Sequence, residues 1–311
     1  MRIGKDDCLF DIRVSFERMA GTPLLSRPLP EWAAAAHAIV VDDTVHYLWG
    51  RRKDGNYWVL MHSTAPAHNP AAVTHDPRNP VLLPSFTGFD NYTVEYPFPF
   101  RNPADGRYYA YYLGRRRRVP KQTGLLVSDG DLGHWTRVVA EPVIAADAPH
   151  ERDGSSHPSV AVHDNLIHIL YTGESDGPPV ICHATAPVGD PAAVTKDSAN
   201  PVFRGTGRSW DSQGVREAEL FREGKFFHIL YGGCDGQVWR IGHVRTRDFR
   251  MFEPNPANPV FESSADRKAW DCDGILTPQI FTSDGCHYLL YAGLKGGEWQ
   301  SGLARATVGW D

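Results

Sequence analysis

A carboxylate, an imidazole and a hydroxyl occupy corresponding positions in three similar segments of the sequence. His157, Glu217 and Thr277 are spaced 60 residues apart, and an aromatic residue follows each of them after 14 residues. In a weaker copy of the segment, Tyr96 takes this place directly after Glu95. Carboxyl and imidazole groups are the usual proton donors and acceptors in enzymes. If these positions converge in space, the sequence predicts acid–base chemistry on a polar ligand.

The position occupied by these residues, here called the inner position, differs in every copy of the segment. A position that repeats serves packing, whereas one that varies is free to serve function. In the first copy the alignment leaves two residues for it, Ala36 or His37. We predict that the catalytic residues are among Glu217, Asp90, Glu95 and His157, and that His37, Tyr96, Arg216, Asp211, Asp271 and Thr277 bind substrate.

Several of these residues also have a structural explanation. Glu217 can pair with the adjacent Arg216, and Glu219, on the same face of the strand, is then the alternative catalytic glutamate. A carboxylate that recurs six residues before the inner position is more typical of a turn or a cap than of a catalyst. That spacing is shared by Asp90, Asp211 and Asp271.

Five units of about 60 residues account for nearly the whole chain. A proline followed by a small apolar residue marks each unit, as in Pro142-Val143 and Pro201-Val202. Each unit contains four short strand patterns separated by turns, and four-stranded antiparallel sheets repeated radially form a β-propeller. The last unit lacks a fourth strand, which residues 12–25 can supply. We therefore predict an all-β, five-bladed β-propeller in one domain, residues 1–311, with blades at roughly 31–80, 90–142, 153–201, 211–259 and 271–307 plus 12–25.

Composition excludes several classes of protein. The 311 residues are 41% hydrophobic and 22% charged, and 32 basic against 37 acidic residues give a net charge of −5, which argues against nucleic-acid binding. The longest apolar stretch, residues 32–41, is too short to span a bilayer, and the N-terminus has no secretory apolar core. The five cysteines form no CxxC pair, so we expect reduced thiols, a cytoplasmic location and no metal site.

The repeat and the segment WDSQGVREAELFREGKFFHILYGG resemble the five-bladed propeller glycosidases around glycoside hydrolase families 43, 32, 68, 117 and 130. The resemblance covers nearly the whole chain and implies that Glu217 is the general acid. The third-blade Asp-Pro of these families is here His157-Pro158, and their first-blade aspartate is Ala36 or His37. Asp90 or Glu95 would then be the second carboxylate, with His157 modulating the acid. No cofactor is required, although related propellers often hold Ca²⁺ in the central channel.

The resulting hypothesis is a glycoside hydrolase that acts on a terminal sugar of an oligosaccharide. One alternative is a phosphate-dependent phosphorylase, in which Arg216 or the basic run of residues 115–118 holds phosphate. The other is a propeller that binds carbohydrate without catalysis. A basic run is more often a solvated loop, but this run, with Lys121, could instead bind an anionic substrate. The sequence leaves the sugar, the linkage and the oligomeric state open.

Overall fold

The computed structural model describes residues 12–19, 23–25, 33–53 and 57–310, so the predicted start of the first blade at residue 31 lies outside the described residues. Within these ranges, helix is limited to two short 3-10 turns, Pro149–Glu151 and Ser209–Asp211. No described helix has the length and apolar character needed to cross a membrane. The strands are β1 (Ile12–Arg18), β2 (Ala33–Val41), β3 (Thr44–Lys53), β4 (Tyr57–Pro66), β5 (Thr74–His75), β6 (Thr93–Arg101), β7 (Tyr108–Arg115), β8 (Gln122–Ser128), β9 (Thr136–Arg137), β10 (Gly154–His163), β11 (Leu166–Glu174), β12 (Val180–Pro187), β13 (Thr195–Lys196), β14 (Val215–Glu223), β15 (Phe226–Cys234), β16 (Trp239–Thr246), β17 (Phe252–Pro254), β18 (Gly274–Ser283), β19 (Cys286–Lys295) and β20 (Glu298–Trp310).

The strands pair antiparallel in groups of four that follow the repeat units. The consecutive pairings are β2 to β5, β6 to β9, β10 to β13 and β14 to β17. The last group consists of β18, β19 and β20 with β1. The first strands of the groups contact one another in a closed order, β2–β6–β10–β14–β18–β2. The all-β class and the repeated antiparallel sheets are thus confirmed.

The N-terminal strand completes the last sheet, as the sequence predicts. β1 runs antiparallel to β20, with Ile12 opposite Trp310 and Arg18 opposite Ala304. Arg18 Nε also lies 2.7 Å from the buried Asp271 carboxylate, at the other side of the same unit. The first and last strands of the described chain therefore lie in one sheet.

Removing residues 1–25 is expected to make the chain aggregate and to lower its melting temperature. The truncation would expose the backbone edge of β20, and an uncovered edge strand is a template for pairing with other chains. Size-exclusion chromatography and thermal unfolding of the truncated and full chains measure the effect. A monodisperse truncated chain with an unchanged Tm would contradict this closure.

Each first strand carries a β-bulge at the same place. The pairing register shifts there in all five groups, and one residue in each bulge has a φ between 50° and 58°. A bulge bends the strand and re-aims a side chain, which is why bulges often lie beside active sites. The residues with positive φ are Ala35, Tyr96, His157, Glu217 and Thr277.

The bulges correct the predicted alignment of the first unit. Its inner position is Ala35, and neither Ala36 nor His37 occupies it. His37 resumes the regular pairing after the bulge, as Glu219 does in the fourth unit. His37 therefore belongs to a second row of residues, deeper between the sheets than the inner position.

Candidate active site

A pocket of about 300 Å³ lies at the bulges of β6, β14 and β18. Three of the five inner positions, Tyr96, Glu217 and Thr277, line it, whereas Ala35 and His157 are not among its lining residues. Three of the residues predicted to bind substrate line it, together with the predicted catalytic Glu217. The full lining is Trp58, Tyr96, Arg216, Glu217, Trp239, Leu276, Thr277, Ala292 and Trp299.

The Glu217 side chain is 5% exposed and each of its carboxylate oxygens has a partner. Arg216 Nε lies 2.9 Å from Oε1, forming an ion pair, and the Thr277 hydroxyl donates a hydrogen bond to Oε2. The Glu217 backbone N–H donates to Thr172 Oγ1 at 2.9 Å, which fixes the bulge from the neighbouring unit. The cation and the hydroxyl compensate the charge of the Glu217 carboxylate.

His157 lies beside Glu217 as a neutral imidazole. Burial, together with the nearby Arg216 charge, lowers the pKa of His157 well below its usual value. The 3.4 Å separation between His157 Nε2 and Glu217 Oε1 is therefore not an ion pair. His157 Nδ1 is 2.6 Å from Ser156 Oγ, and the Tyr96 ring packs edge-on against the imidazole with centroids 4.0 Å apart.

Glu174 links this group to the second unit, and sequence analysis did not find it. Its carboxylate accepts hydrogen bonds from Lys121 Nζ at 2.6 Å and from Ser156 Oγ at 2.7 Å. Arg216 Nη2 lies 3.4 Å from the same carboxylate. A line of alternating charges thus runs from Lys121 through Glu174 and Arg216 to Glu217.

Glu95, directly before the Tyr96 bulge, is buried without a direct partner and is not among the residues that line the pocket. The residue is 8% exposed, and among the described residues none hydrogen-bonds or ion-pairs with its carboxyl group. Burial raises the pKa of Glu95 to about 7, since the charges of Lys121 and Arg115 offset the desolvation only in part. The side chain therefore retains a proton close to neutral pH, as a general acid requires.

Three tryptophans form one wall of the pocket and were also missed by sequence analysis. They occupy equivalent places in their units, and they are Trp58, Trp239 and Trp299. The repeated aromatic of β3, β15 or β19 pairs with a residue on the next strand, and the tryptophan lies three residues before that partner. In the second and third units Lys121 and Pro179 occupy this place. The wall therefore comes from the fourth, fifth and first units, and the charged side of the site from the second and third.

The structure was compared with known proteins. Similar solved structures include one described as a glycoside hydrolase, with 14% identity and a TM-score of 0.75 over 94% of this chain and 92% of that one. Another comes from work on the GH130 family of mannoside phosphorylases, which contains glycoside hydrolases that target β-1,2 mannosidic linkages in Candida mannan (15% identity, TM-score 0.74, 94% and 93% coverage). A thermostable family-43 glycoside hydrolase matches at 12% identity and a TM-score of 0.69, over 89% and 90% of the two chains. The chain has the fold of the propeller glycoside hydrolases.

This likeness lies in the fold and not in the sequence. No family model matches the sequence, and no curated protein matches it at a significant level. Solved structures with 12–15% identity therefore support the resemblance that the repeat suggested. At this level of identity the roles of their residues do not transfer to single positions of this chain.

The predicted aspartates lie away from the pocket, in a repeated buried contact. Each accepts a hydrogen bond from the repeated tyrosine of its own unit, at 2.7 Å in the second unit and 3.0 Å in the fourth and fifth. In the third unit Glu151 plays this part for Tyr171. None of the three lines the pocket. The pairs are Asp90 with Tyr112, Asp211 with Tyr231 and Asp271 with Tyr291.

These contacts change our assignment of Asp90, Asp211 and Asp271. Asp90 is 1% exposed and also accepts a 2.7 Å hydrogen bond from Arg137 Nε, so both of its contacts hold parts of the second unit together. We assign all three aspartates to the architecture and leave Glu95 as the second carboxyl group of the site.

Replacing Asp90 by asparagine is expected to lower the free energy of unfolding by about 1–3 kcal/mol, because Arg137 and Tyr112 would lose a buried charged acceptor. Turnover per folded molecule should change little. Chemical denaturation and kcat of the purified variant separate the two effects. A variant with wild-type stability and no turnover would return Asp90 to the catalytic set.

The second row of the channel does not suit Ca²⁺. Gln279 of this row is already bonded to the Ala38 backbone. His37 Nδ1, Ser159 Oγ and Glu219 Oε2 have no hydrogen-bond partner among the described residues. Burial raises the pKa of Glu219 well above its usual value and lowers that of His37 to about 3, which leaves both neutral near pH 7. Ca²⁺ takes six to eight oxygen ligands, mostly charged or carbonyl oxygens, so the described donors do not fit it.

Proposed function

We propose that the protein is a glycoside hydrolase that removes a terminal sugar, built as a single five-bladed propeller domain of residues 1–311. The observation that carries the proposal is the combination of an ion-paired carboxylate, Glu217, with a buried carboxyl group whose pKa burial raises, Glu95, at the bulges beside an aromatic wall. Similar structures described as glycoside hydrolases support the substrate class.

The electrostatic environment favours a division of roles between the two glutamates. Glycoside hydrolysis needs one carboxyl group that carries a proton and one that is ionised on the other side of the sugar. The resemblance implied that Glu217 is the acid. Because Arg216 and Thr277 compensate the charge of Glu217 while Glu95 has a pKa of about 7, we propose the reverse. Glu95 protonates the leaving oxygen, and Glu217 acts on the anomeric carbon as base or nucleophile.

The remaining residues position the reacting groups and the sugar. His157 and Glu174 hold Arg216 and, through it, Glu217. Tyr96 and the tryptophan wall offer flat apolar surfaces to the C–H face of a sugar ring. A volume of about 300 Å³ is at the lower end for ligand pockets, which supports binding of one terminal sugar over binding of a long internal segment.

A screen of aryl glycosides tests this proposal. The panel contains pyranosides and furanosides of both anomers, each measured with and without inorganic phosphate. Phosphate-independent release of the aryl group from a member of the panel is the expected result. Turnover that requires phosphate would instead establish the phosphorylase alternative, and binding of glycans without any turnover would establish the carbohydrate-binding alternative.

A further inference from the structure

Arg115, the last residue of β7, has a guanidinium group without a partner of opposite charge. Its Nε is buried and has no hydrogen-bond acceptor, and among the described residues no carboxylate lies within ion-pair distance of it. The nearest aromatic contact is the Tyr92 ring, 5.8 Å from the guanidinium carbon. Partial burial removes water from a cation, and this costs free energy when no hydrogen-bond acceptor replaces the water. An anion from outside the chain would supply that acceptor to Arg115.

The strand register places Arg115 beside the candidate acid. Arg115 pairs with Thr93, and Leu113, two residues earlier on the same face, pairs with Glu95. Residues that are paired, and residues two apart on one strand, share a face of the sheet. Glu95 and Arg115 are therefore diagonal neighbours, and the Arg115 charge lowers the pKa of Glu95.

Lys121 extends this cationic edge toward the pocket. Gln122 pairs with Gly114, so in the same register Lys121 lies across from Arg115. Lys121 is bonded to Glu174, and Arg216 contacts the same carboxylate. Arg115 is thus the outer cation of the line that ends at Glu217, and unlike Lys121 and Arg216 it contacts no carboxylate in the part of the chain that the structure describes.

The segment that contains Arg115 is strongly positive on an acidic protein. Residues 115–121 contain five basic and no acidic residues, whereas the whole chain has a net charge of −5. Arg117 and Arg118 of this segment are exposed. A local positive field beside a cleft raises the local concentration of anions and speeds their association.

We propose that the sugar bound at this site is anionic, and that Arg115 binds its carboxylate, sulfate or phosphate group while the ring stacks on the tryptophan wall. The inference rests on the proposed function and adds the chemical class of the substrate to it. Arginine suits this role because its planar guanidinium can donate two parallel hydrogen bonds to an oxyanion. The wall then selects for a ring and Arg115 for its acidic substituent.

Matched pairs of sugars test the inference with the full-length chain. Glucuronate and galacturonate are compared with glucose and galactose, and glucose 6-sulfate and glucose 6-phosphate show which oxyanion is preferred. Binding is followed by tryptophan fluorescence, and kcat/KM is measured in parallel for aryl uronides and aryl glycosides. We expect the acidic member of a pair to bind about 10- to 100-fold more tightly, the gain typical of a charge-assisted hydrogen bond.

Three arginine variants identify the residue responsible. Arg115→Gln should remove the preference for the acidic sugar, and Arg115→Lys, which keeps the charge without the planar fork, should retain part of it. Arg117→Gln removes the same charge from an exposed position of the same segment and should leave most of the preference intact.

Four results would overturn the inference. The first is equal binding of acidic and neutral sugars by the unmodified chain. The second is an equal loss of preference in Arg115→Gln and Arg117→Gln, which would indicate only a general field. The third is competition by inorganic phosphate together with phosphate-dependent turnover of neutral glycosides, which would make the anion a co-substrate. Turnover of neutral glycosides alone would overturn this inference and leave the proposed function standing, whereas no turnover of any glycoside would contradict the proposed function itself.

Discussion

Replacing Glu217 by glutamine is expected to lower kcat by about 10²- to 10⁴-fold, the usual effect of removing one acid–base group. Glutamine keeps the volume and can still accept the hydrogen bond from Thr277, but it carries no charge to stabilise a developing cation at the anomeric carbon. Arg216 keeps its contact with Glu174, so the fold should be retained. Steady-state kinetics on the best aryl glycoside, with thermal unfolding as a check, measure this.

Glu219→Gln is the matched control for this experiment. Glu219 is also a buried glutamate on β14, but it lies in the second row and its Oε2 has no partner among the described residues. Because burial raises the pKa of Glu219 well above its usual value and the residue does not line the pocket, the exchange for a neutral amide should leave kcat nearly unchanged. Near wild-type activity of Glu217→Gln together with an inactive Glu219→Gln would transfer the catalytic role to Glu219.

The second large effect is expected at Glu95. Glu95→Gln should lower kcat by about 10²- to 10⁴-fold on substrates whose leaving group needs a proton. In the unmodified chain, kcat/KM should fall as the pH rises through about 7, because Glu95 then loses the proton it must donate. Below that pH the carboxyl group is protonated and this limb of the profile is flat. The variant should lack the limb.

A pH–rate profile of both chains checks the assignment. Persistence of the alkaline limb in Glu95→Gln would show that another group donates the proton. Asp90→Asn serves as the comparison within the same unit, since it also exchanges a buried carboxylate for an amide but is expected to change stability and to keep the limb.

The repeat made most of the fold and part of the site predictable. Because the units share a period, His157, Glu217, Thr277 and Tyr96 could be aligned before their convergence was visible, and the structure places all four at the bulges. The same argument treated Asp211 and Asp271 as repeated structural carboxylates, and their bonds to Tyr231 and Tyr291 agree with it. For these two aspartates repetition was therefore a sign of a structural role, whereas the repeated tryptophans line the pocket.

The errors have physical causes that the spacing does not show. A bulge adds a residue to one strand. In the alanine-rich β2 no distinctive side chain marks the bulge, so the sequence alignment placed the inner position one or two residues after Ala35. Asp90 shares the six-residue spacing of Asp211 and Asp271, but it was kept as a catalytic candidate because it precedes Glu95 in the unit whose inner position looks least structural. The tryptophan wall had a detectable signal, since Trp239 and Trp299 each follow the repeated tyrosine by eight residues.

The dependence of rate on the leaving group tests the central claim most directly, namely that Glu95, beside the β6 bulge, is the acid of glycoside cleavage and Glu217, at the β14 bulge, is the base or nucleophile. A 2,4-dinitrophenyl glycoside needs little protonation, whereas the corresponding alkyl glycoside needs a proton donor. We predict that Glu95→Gln keeps near wild-type kcat/KM, which reports the bond-breaking step, on the dinitrophenyl substrate and is severely impaired on the alkyl substrate, while Glu217→Gln is impaired on both. Equal impairment of Glu95→Gln on the two substrates, or a leaving-group dependence confined to Glu217→Gln, would contradict it.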